Sequence, residues 1–213
     1  VVDTHGYKKL KKISIMQLSS DGQSIVGSKT YIDCDCLGMA GGWTPAVHLF
    51  TQSGGKLKFR DKDQVFIPNK YPSKQISIGS CNGDFELDEI IKNSSDSLKK
   101  FLEINKTDYE NLSVITSKEI NKRNIWLLPS DKIIGKTKPF VDYQNDATAK
   151  DIKLALREGF RSIEHVKRYT TTGMGTDQGK LGNMHALGII ADTTGVKMGE
   201  VGTTTFRPPY TPL

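Results

Sequence analysis

The segment Gly79-Ser80-Cys81-Asn82-Gly83 holds the residue types best suited to contact a cofactor. It follows Gln75-Ile76-Ser77-Ile78, whose alternation predicts a short strand. It precedes Leu87, Ile90, Ile91, Leu98, Phe101 and Leu102, whose spacing predicts a helix over residues 85–102. A glycine turn from strand to helix offers unpaired backbone N–H groups and the positive end of a helix dipole to an anion such as a pyrophosphate. Many such turns carry two glycines for purely structural reasons, so both readings stand. No G-x-G-x-x-G fingerprint occurs, so the phosphate-cradling first half of a dinucleotide fold is missing.

A second group forms before a later helix start: Arg168, Thr170, Thr171, Thr172, Gln178, Gly179 and Lys180, among several glycines. Two cations, hydroxyls and free amides suit a phosphate or a flavin tail; a structural cap loop has the same composition. The four histidines, His5, His48, His165 and His185, have no partner at metal-ligand spacing and read as surface or packed residues. Cys34 and Cys36 share a face of a strand-like run, but no second pair completes a four-ligand site, so they read as small buried hydrophobes. No general acid, base, nucleophile or metal ligand is assigned.

These residues need elements to hold them. Ile13 to Leu18 and Ile25-Val26 flank the turn Ser20-Asp21-Gly22, a hairpin signal. A further strand is predicted over residues 31–37, running into Gly38, Gly41, Gly42 and Pro45, where the backbone must turn tightly or approach something closely. A polar connection with Gly54-Gly55, Pro68 and Pro72 follows. Residues 105–138 read as a linker in which Trp126 packs somewhere. Thr148 caps a helix, with Asp151 three residues on, that stops at Gly159; Ser162 caps a second, and a third runs over about residues 181–192. A three-helix unit of about 55 residues is small for a private core. The prolines at 208, 209 and 212 make the last segment an extended connector.

The net charge of +6 invites nucleic acid as a partner, but the basic residues are scattered. Lys8, Lys9, Lys11 and Lys12 suit a solvated strand entrance, so neither nucleic acid nor membrane is expected as a partner. No run approaches the ~18 apolar residues of a membrane span, and the start, Val1-Val2-Asp3, has neither methionine nor signal-peptide pattern. Three cysteines argue for a reducing compartment, read as the cytoplasm.

Several strings carry a family likeness. FVDYQNDATAKDIKLALREGFRSIEHVKRYTTTGMGTDQGK and VGTTTFRPPYTP resemble the central segment of the alpha subunit of heterotetrameric sarcosine oxidases, just before its folate-binding, aminomethyltransferase-like half. DCLGMAGGWTPAVHLFTQSGGKL and ISIGSCNG resemble the second half of that subunit's disulfide-reductase-like nucleotide domain. The resemblance implies an α/β fold followed by a small all-α three-helix domain. The implied organisation is a partial nucleotide domain over 1–104, a linker over 105–138, the helical domain over 139–195, and a connector over 196–213.

The activity implied is oxidative demethylation of sarcosine, with NAD in the alpha subunit, FMN at the alpha–beta interface, and FAD and tetrahydrofolate elsewhere among the alpha, beta, gamma and delta subunits. Gly79, Ser80, Cys81, Asn82, Gly83 and Phe85 then match a late nucleotide-contact turn, and Gly41, Gly42, Trp43 and Pro45 an earlier one. The helical unit is similar to a domain that carries a two-iron two-sulfur cluster on four cysteines in related opine oxidase and hydrogen cyanide synthase subunits. Here the matching positions are Asp142, Gln144, Asp177 and Gly182, and without thiolates no such cluster is held. Another amine or opine oxidase, or a non-catalytic interaction module, is the alternative.

Overall fold

The computed structural model describes residues 1–103, 124–130 and 137–208. Strands β1 (Asp3–His5), β2 (Lys12–Leu18) and β3 (Ile25–Asp33) form an antiparallel meander in chain order. The turn between β2 and β3 sits where expected. Asp21 Oδ1 accepts the Gln23 amide at 3.0 Å, so the side chain mimics the next peptide and closes the bend.

The strand predicted over residues 31–37 is instead the end of β3, which stops at Asp33, so Cys34 and Cys36 lie past it and are half-buried and exposed, not buried as expected. Gly27, at φ +80°, lets β3 pass through an irregularity opposite Ile15 and Gln17 without ending, so one bulged strand replaces two. The stretch read as a polar connection holds α1 (His48–Gln52) and a hairpin of β4 (Lys56–Arg60) and β5 (Val65–Lys70). Lys56, Lys58 and Arg60 gave β4 a polar appearance. Pro68 is tolerated in β5 because a two-stranded ladder has only edges. Residues 75–78 form no ladder; the glycine turn after them is a 3₁₀ turn, Gly79–Asn82, leading into the expected helix, α2 (Leu87–Leu102).

The three expected helices follow as α3 (Ala149–Arg157), α4 (Ile163–Thr170) and α5 (Asn183–Thr194). The unit is not all-α: β6 (Phe140–Asp142) pairs with β7 (Ala147–Thr148) before α3. The cap at Thr148 forms: its amide and hydroxyl both donate to Asp151, at 2.8 and 2.7 Å. A last turn, α6 (Met198–Val201), is followed by residues 202–208, which form no regular element; residues 209–213 of the expected connector lie outside the described residues.

Ile152, Val166, Leu187, Ile189 and Ile190 fill the core, each worth roughly 1.5–3 kcal/mol of apolar burial. Val47 and Phe66 belong to the same cluster, and Leu57, Phe59 and Trp126 pack on it. The helices therefore share their core with α1 and the β4–β5 hairpin. Gly188 on α5 admits the Trp126 ring, since a Cβ there would lie 2.0 Å from its Cγ. Most of the expected linker lies outside the described residues; this tryptophan packs as expected.

Candidate cofactor site

The glycine turn is built by backbone conformation and by an arginine. Gly79 and Gly83 adopt φ of +67° and +86°, which side chains other than glycine's rarely accept. The Gly83 carbonyl accepts Arg60 Nη2 from β4 at 2.5 Å, and Arg60 Nε faces Asp63 at 2.5 Å. A Cβ on Gly83 would lie 2.7 Å from Arg60 Nη2 and 2.8 Å from Ile67, so close packing as well as φ demands glycine. The Cys81 thiol donates to the Ile78 carbonyl at 2.9 Å, Ser80 faces solvent, and Asn82 and Phe85 are half-buried.

The turn's amides are less free than its sequence suggests. Gly83 N–H donates to Ser80 at 3.1 Å and Asp84 N–H to Gly79 at 3.3 Å. The unspent group is a carboxylate that sequence reasoning passed over. Asp84 is buried; its Oδ1 accepts Asn93 Nδ2 from α2 at 3.2 Å, while its buried Oδ2 has no hydrogen-bond partner. An orphaned carboxylate oxygen calls for a donor, so this corner suits a ligand hydroxyl better than a phosphate, which its charge would repel. An acidic residue directly after a glycine turn and before a helix was the signal available.

The earlier turn is open. Gly41, Gly42 and Trp43 are exposed, with Gly42 at φ +96°, whereas Pro45 is buried and accepts the Val47 amide at 3.1 Å. A Cβ on Gly41 would sit 3.9 Å from His185 Cε1, which brings this turn against α5.

A cavity of about 380 Å³ is lined by Asp142, Tyr143, Gln144, Asp177 and Lys180; of Arg168, Thr170, Thr171, Thr172, Gln178, Gly179 and Lys180, only Lys180 reaches it. Asp142 accepts four donors: the amides of Gln144, Asn145 and Gly173, and Asn145 Nδ2. Burial alone would push its carboxyl up, but the Gly173 and Asn145 bonds, with that of Gln144, outweigh burial and hold it below its ordinary value. Gln144 bonds Thr176 Oγ1 at 2.7 Å and the Asp177 amide at 3.3 Å. Gly182 lies so close to Val141 that a Cβ would meet its carbonyl oxygen at 2.3 Å. Of the four positions matched to cluster cysteines, Asp142, Gln144 and Asp177 are thus linked by hydrogen bonds that use the Asp142 and Gln144 side chains, and Gly182 packs against Val141 beside them. No group of three or more His, Cys, Asp or Glu side chains placed to hold a metal occurs among the described residues.

In the Thr/Gly loop the Gln178 and Gly179 amides, expected to be free, are engaged within the chain. Asp177 lies in the turn ahead of α5 and accepts the Gly179 and Leu181 amides at 3.1 and 3.4 Å, so the amide expected to be free at Gly179 is taken; the Gln178 amide is bonded to Gly175 at 3.0 Å. Thr172 is buried, with its hydroxyl 2.8 Å from that of Thr170, and Thr171 donates to the Thr170 carbonyl. Arg168 is exposed, 4.0 Å from Glu164. Lys180 is exposed at the cavity. Its charge also reaches buried His48, whose pKa is lowered by burial first and by Lys180 second.

Residues 136–213 match the sarcosine oxidase A3 domain. All of this chain aligns at 34% identity with the sarcosine oxidase subunit alpha of Rhizobium meliloti (strain 1021), and at 32% with that of Corynebacterium sp. (strain P-1). It spans 22% and 23% of those proteins. Its fold is similar to L-proline dehydrogenase from P. horikoshii, with a TM-score of 0.61 at 18% identity, over 97% of this chain and 41% of that one. No helix among the described residues is long and apolar enough to cross a membrane.

Proposed function

Because this chain belongs to the sarcosine oxidase alpha subunit family, as a fragment of a larger polypeptide, we propose that it forms the cofactor-facing wall of an oxidoreductase acting on sarcosine. The whole enzyme oxidises sarcosine to glycine, reduces oxygen to hydrogen peroxide and passes the one-carbon unit to tetrahydrofolate. Bound flavin supplies the electron-accepting chemistry, with FAD and FMN on or between other parts of the assembly and beta, gamma and delta subunits as partners. This chain contributes positioning and no acid, base or nucleophile.

The orphaned Oδ2 of Asp84 carries the reading. A nucleotide such as NAD presents sugar hydroxyls, and a hydroxyl donating to that buried oxygen would satisfy it. In this reading Gly79 and Gly83 shape the turn that carries Asp84, and Gly41, Gly42, Trp43 and Pro45 form the second wall. The FMN reading at the 170–180 loop is narrower. It rests on Lys180 and Arg168 as cations, because the Gln178 and Gly179 amides are engaged within the chain.

The test is NAD content of the complete subunit after denaturing release. Asp84→Ala is expected to weaken retention by about tenfold, the worth of one charge-assisted hydrogen bond. Stoichiometric NAD in a folded Asp84→Ala subunit overturns the assignment. For the loop, FMN and FAD are measured separately in the assembled Lys180→Ala enzyme; unchanged FMN removes Lys180 from the flavin site.

A further inference from the structure

Arg60 closes β4 with its guanidinium on the glycine turn: Nη2 donates to the Gly83 carbonyl at 2.5 Å, and Nε faces half-buried Asp63 at 2.5 Å. The hairpin that carries it is firmly seated. Val65, Phe66 and Ile67 of β5 are buried, and Phe59 meets Phe66 edge-on with ring centroids 5.1 Å apart. Leu57 and Phe59 pack on the helical core, and a Cβ on Gly199 of α6 would lie 3.4 Å from that of Phe59.

Gly83 needs such a brace. Its φ of +86° suits glycine, but glycine also tolerates either orientation of the peptide that follows it, so the turn by itself does not choose the direction of the Gly83 carbonyl. The Gly83–Asp84 peptide is a plane, with that carbonyl at one edge and the Asp84 N–H at the other. Arg60 holds the first edge, and the Gly79 carbonyl accepts the second at 3.3 Å. A plane fixed at both edges fixes where the Asp84 side chain leaves the backbone. Asn93 then takes Oδ1 at 3.2 Å, and the buried Oδ2 is what remains for a ligand. The guanidinium is divided between a carbonyl and a carboxylate of its own chain, which suits a brace better than a phosphate clamp.

We propose that Arg60 is a positioning residue for the nucleotide corner: from β4 it locks the Gly83–Asp84 peptide and so presents Asp84 Oδ2 to a ligand hydroxyl. This rests on the reading of Asp84 as the hydroxyl acceptor and adds what holds that acceptor in place. An acceptor set before the ligand arrives needs less ordering on binding. The planar fork is also why the residue is arginine: one group reaches a carbonyl and a carboxylate together, where lysine offers a single compact charge.

The experiment is a double-mutant cycle in the complete alpha subunit. NAD affinity is read from the amount retained at graded dilution, and thermal unfolding of each variant is followed alongside. Arg60→Met is expected to weaken NAD about as much as Asp84→Ala, roughly tenfold. The double variant is expected to bind no more weakly than Asp84→Ala alone, because a residue that acts through Asp84 has nothing to position once the carboxylate is gone. Arg60→Lys keeps a donor for the carbonyl and is expected to recover part of the affinity. If Arg60→Met does not fold, the cycle is run with Arg60→Lys, whose smaller loss must likewise vanish in the Asp84→Ala background. A purely structural brace, or an arginine that touches the nucleotide itself, weakens NAD by the same factor in either background. Losses that multiply to about a hundredfold in the double variant therefore overturn the proposal. Full NAD affinity in folded Arg60→Met, with affinity lost in Asp84→Ala, sinks the positioning role alone. Undiminished affinity in folded Asp84→Ala sinks the hydroxyl-acceptor reading, and this proposal with it.

Discussion

The Asp142 carboxylate accepts the amide of Gly173 at 2.7 Å, joining residues 31 apart and fastening the β6 end to the loop beyond α4. That amide is buried, so removing the carboxylate leaves it without its partner. Asp142→Ala is expected to cost about 3 kcal/mol by leaving buried donors unsatisfied, with Asp142→Asn intermediate. Urea unfolding followed by fluorescence measures both.

The same carboxylate makes stability acid-sensitive. Its folded pKa lies below its ordinary value of 3.8, so the unfolded chain takes up the proton first as pH falls. Its stabilisation is complete above pH 3.8 and is lost as pH drops through the folded value. The wild-type chain is expected to lose stability more steeply below that pH than Asp142→Asn; parallel curves would show that the hydrogen bonds do not discriminate the charged form.

His48 reports the reach of Lys180. Burial lowers its pKa below 6.5 and the lysine charge lowers it further. Lys180→Met is expected to raise the His48 pKa toward 6.5, read from its imidazole proton shifts in NMR. An unmoved titration would place the ammonium too far from His48 to act on it.

Gly83→Ala meets both Arg60 and Ile67 in a left-handed backbone conformation, whereas a Cβ on Gly79 has ordinary clearance, 3.6 Å from Ile90. Gly83→Ala is expected to cost roughly 2–4 kcal/mol, and Gly79→Ala about 1–2 kcal/mol from backbone strain alone. Thermal unfolding of the two variants gives the order.

Gly188→Ala drives a methyl into the Trp126 ring. A loss of roughly 1–3 kcal/mol is expected, with a red-shifted component of tryptophan emission as the indole is displaced toward solvent. Unchanged emission and stability would mean that Trp126 does not rest on α5.

Iron analysis checks the reading of Asp142, Gln144, Asp177 and Gly182 as former ligand positions. Purified protein is expected to show no iron–sulfur absorption, since none of the four offers a thiolate. Stoichiometric iron with acid-labile sulfide would overturn that alignment.

What could be read from sequence alone was local. Residues 148–194 announce three helices because apolar spacing, the Thr148 and Asp151 cap and the stop at Gly159 are encoded within a turn or two of one another. The Asp21-Gly22 hairpin turn and the helix after Gly83 are legible for the same reason. Tertiary structure decided what depends on distant neighbours. Hairpin β4–β5 is hidden by alternating lysines until Phe59 and Phe66 meet the helical core, and β3 continues past Gly27 because β2 holds it in register. The site followed the same division. Two glycines marked the turn at 79–83, but whether its polar groups are spent or free depended on Arg60 arriving from β4 and on Asn93 satisfying only one oxygen of Asp84. The loop around Lys180 looked open in sequence, and Asp177 takes the Gly179 and Leu181 amides ahead of α5, because a carboxylate competes for the same amides as any ligand phosphate.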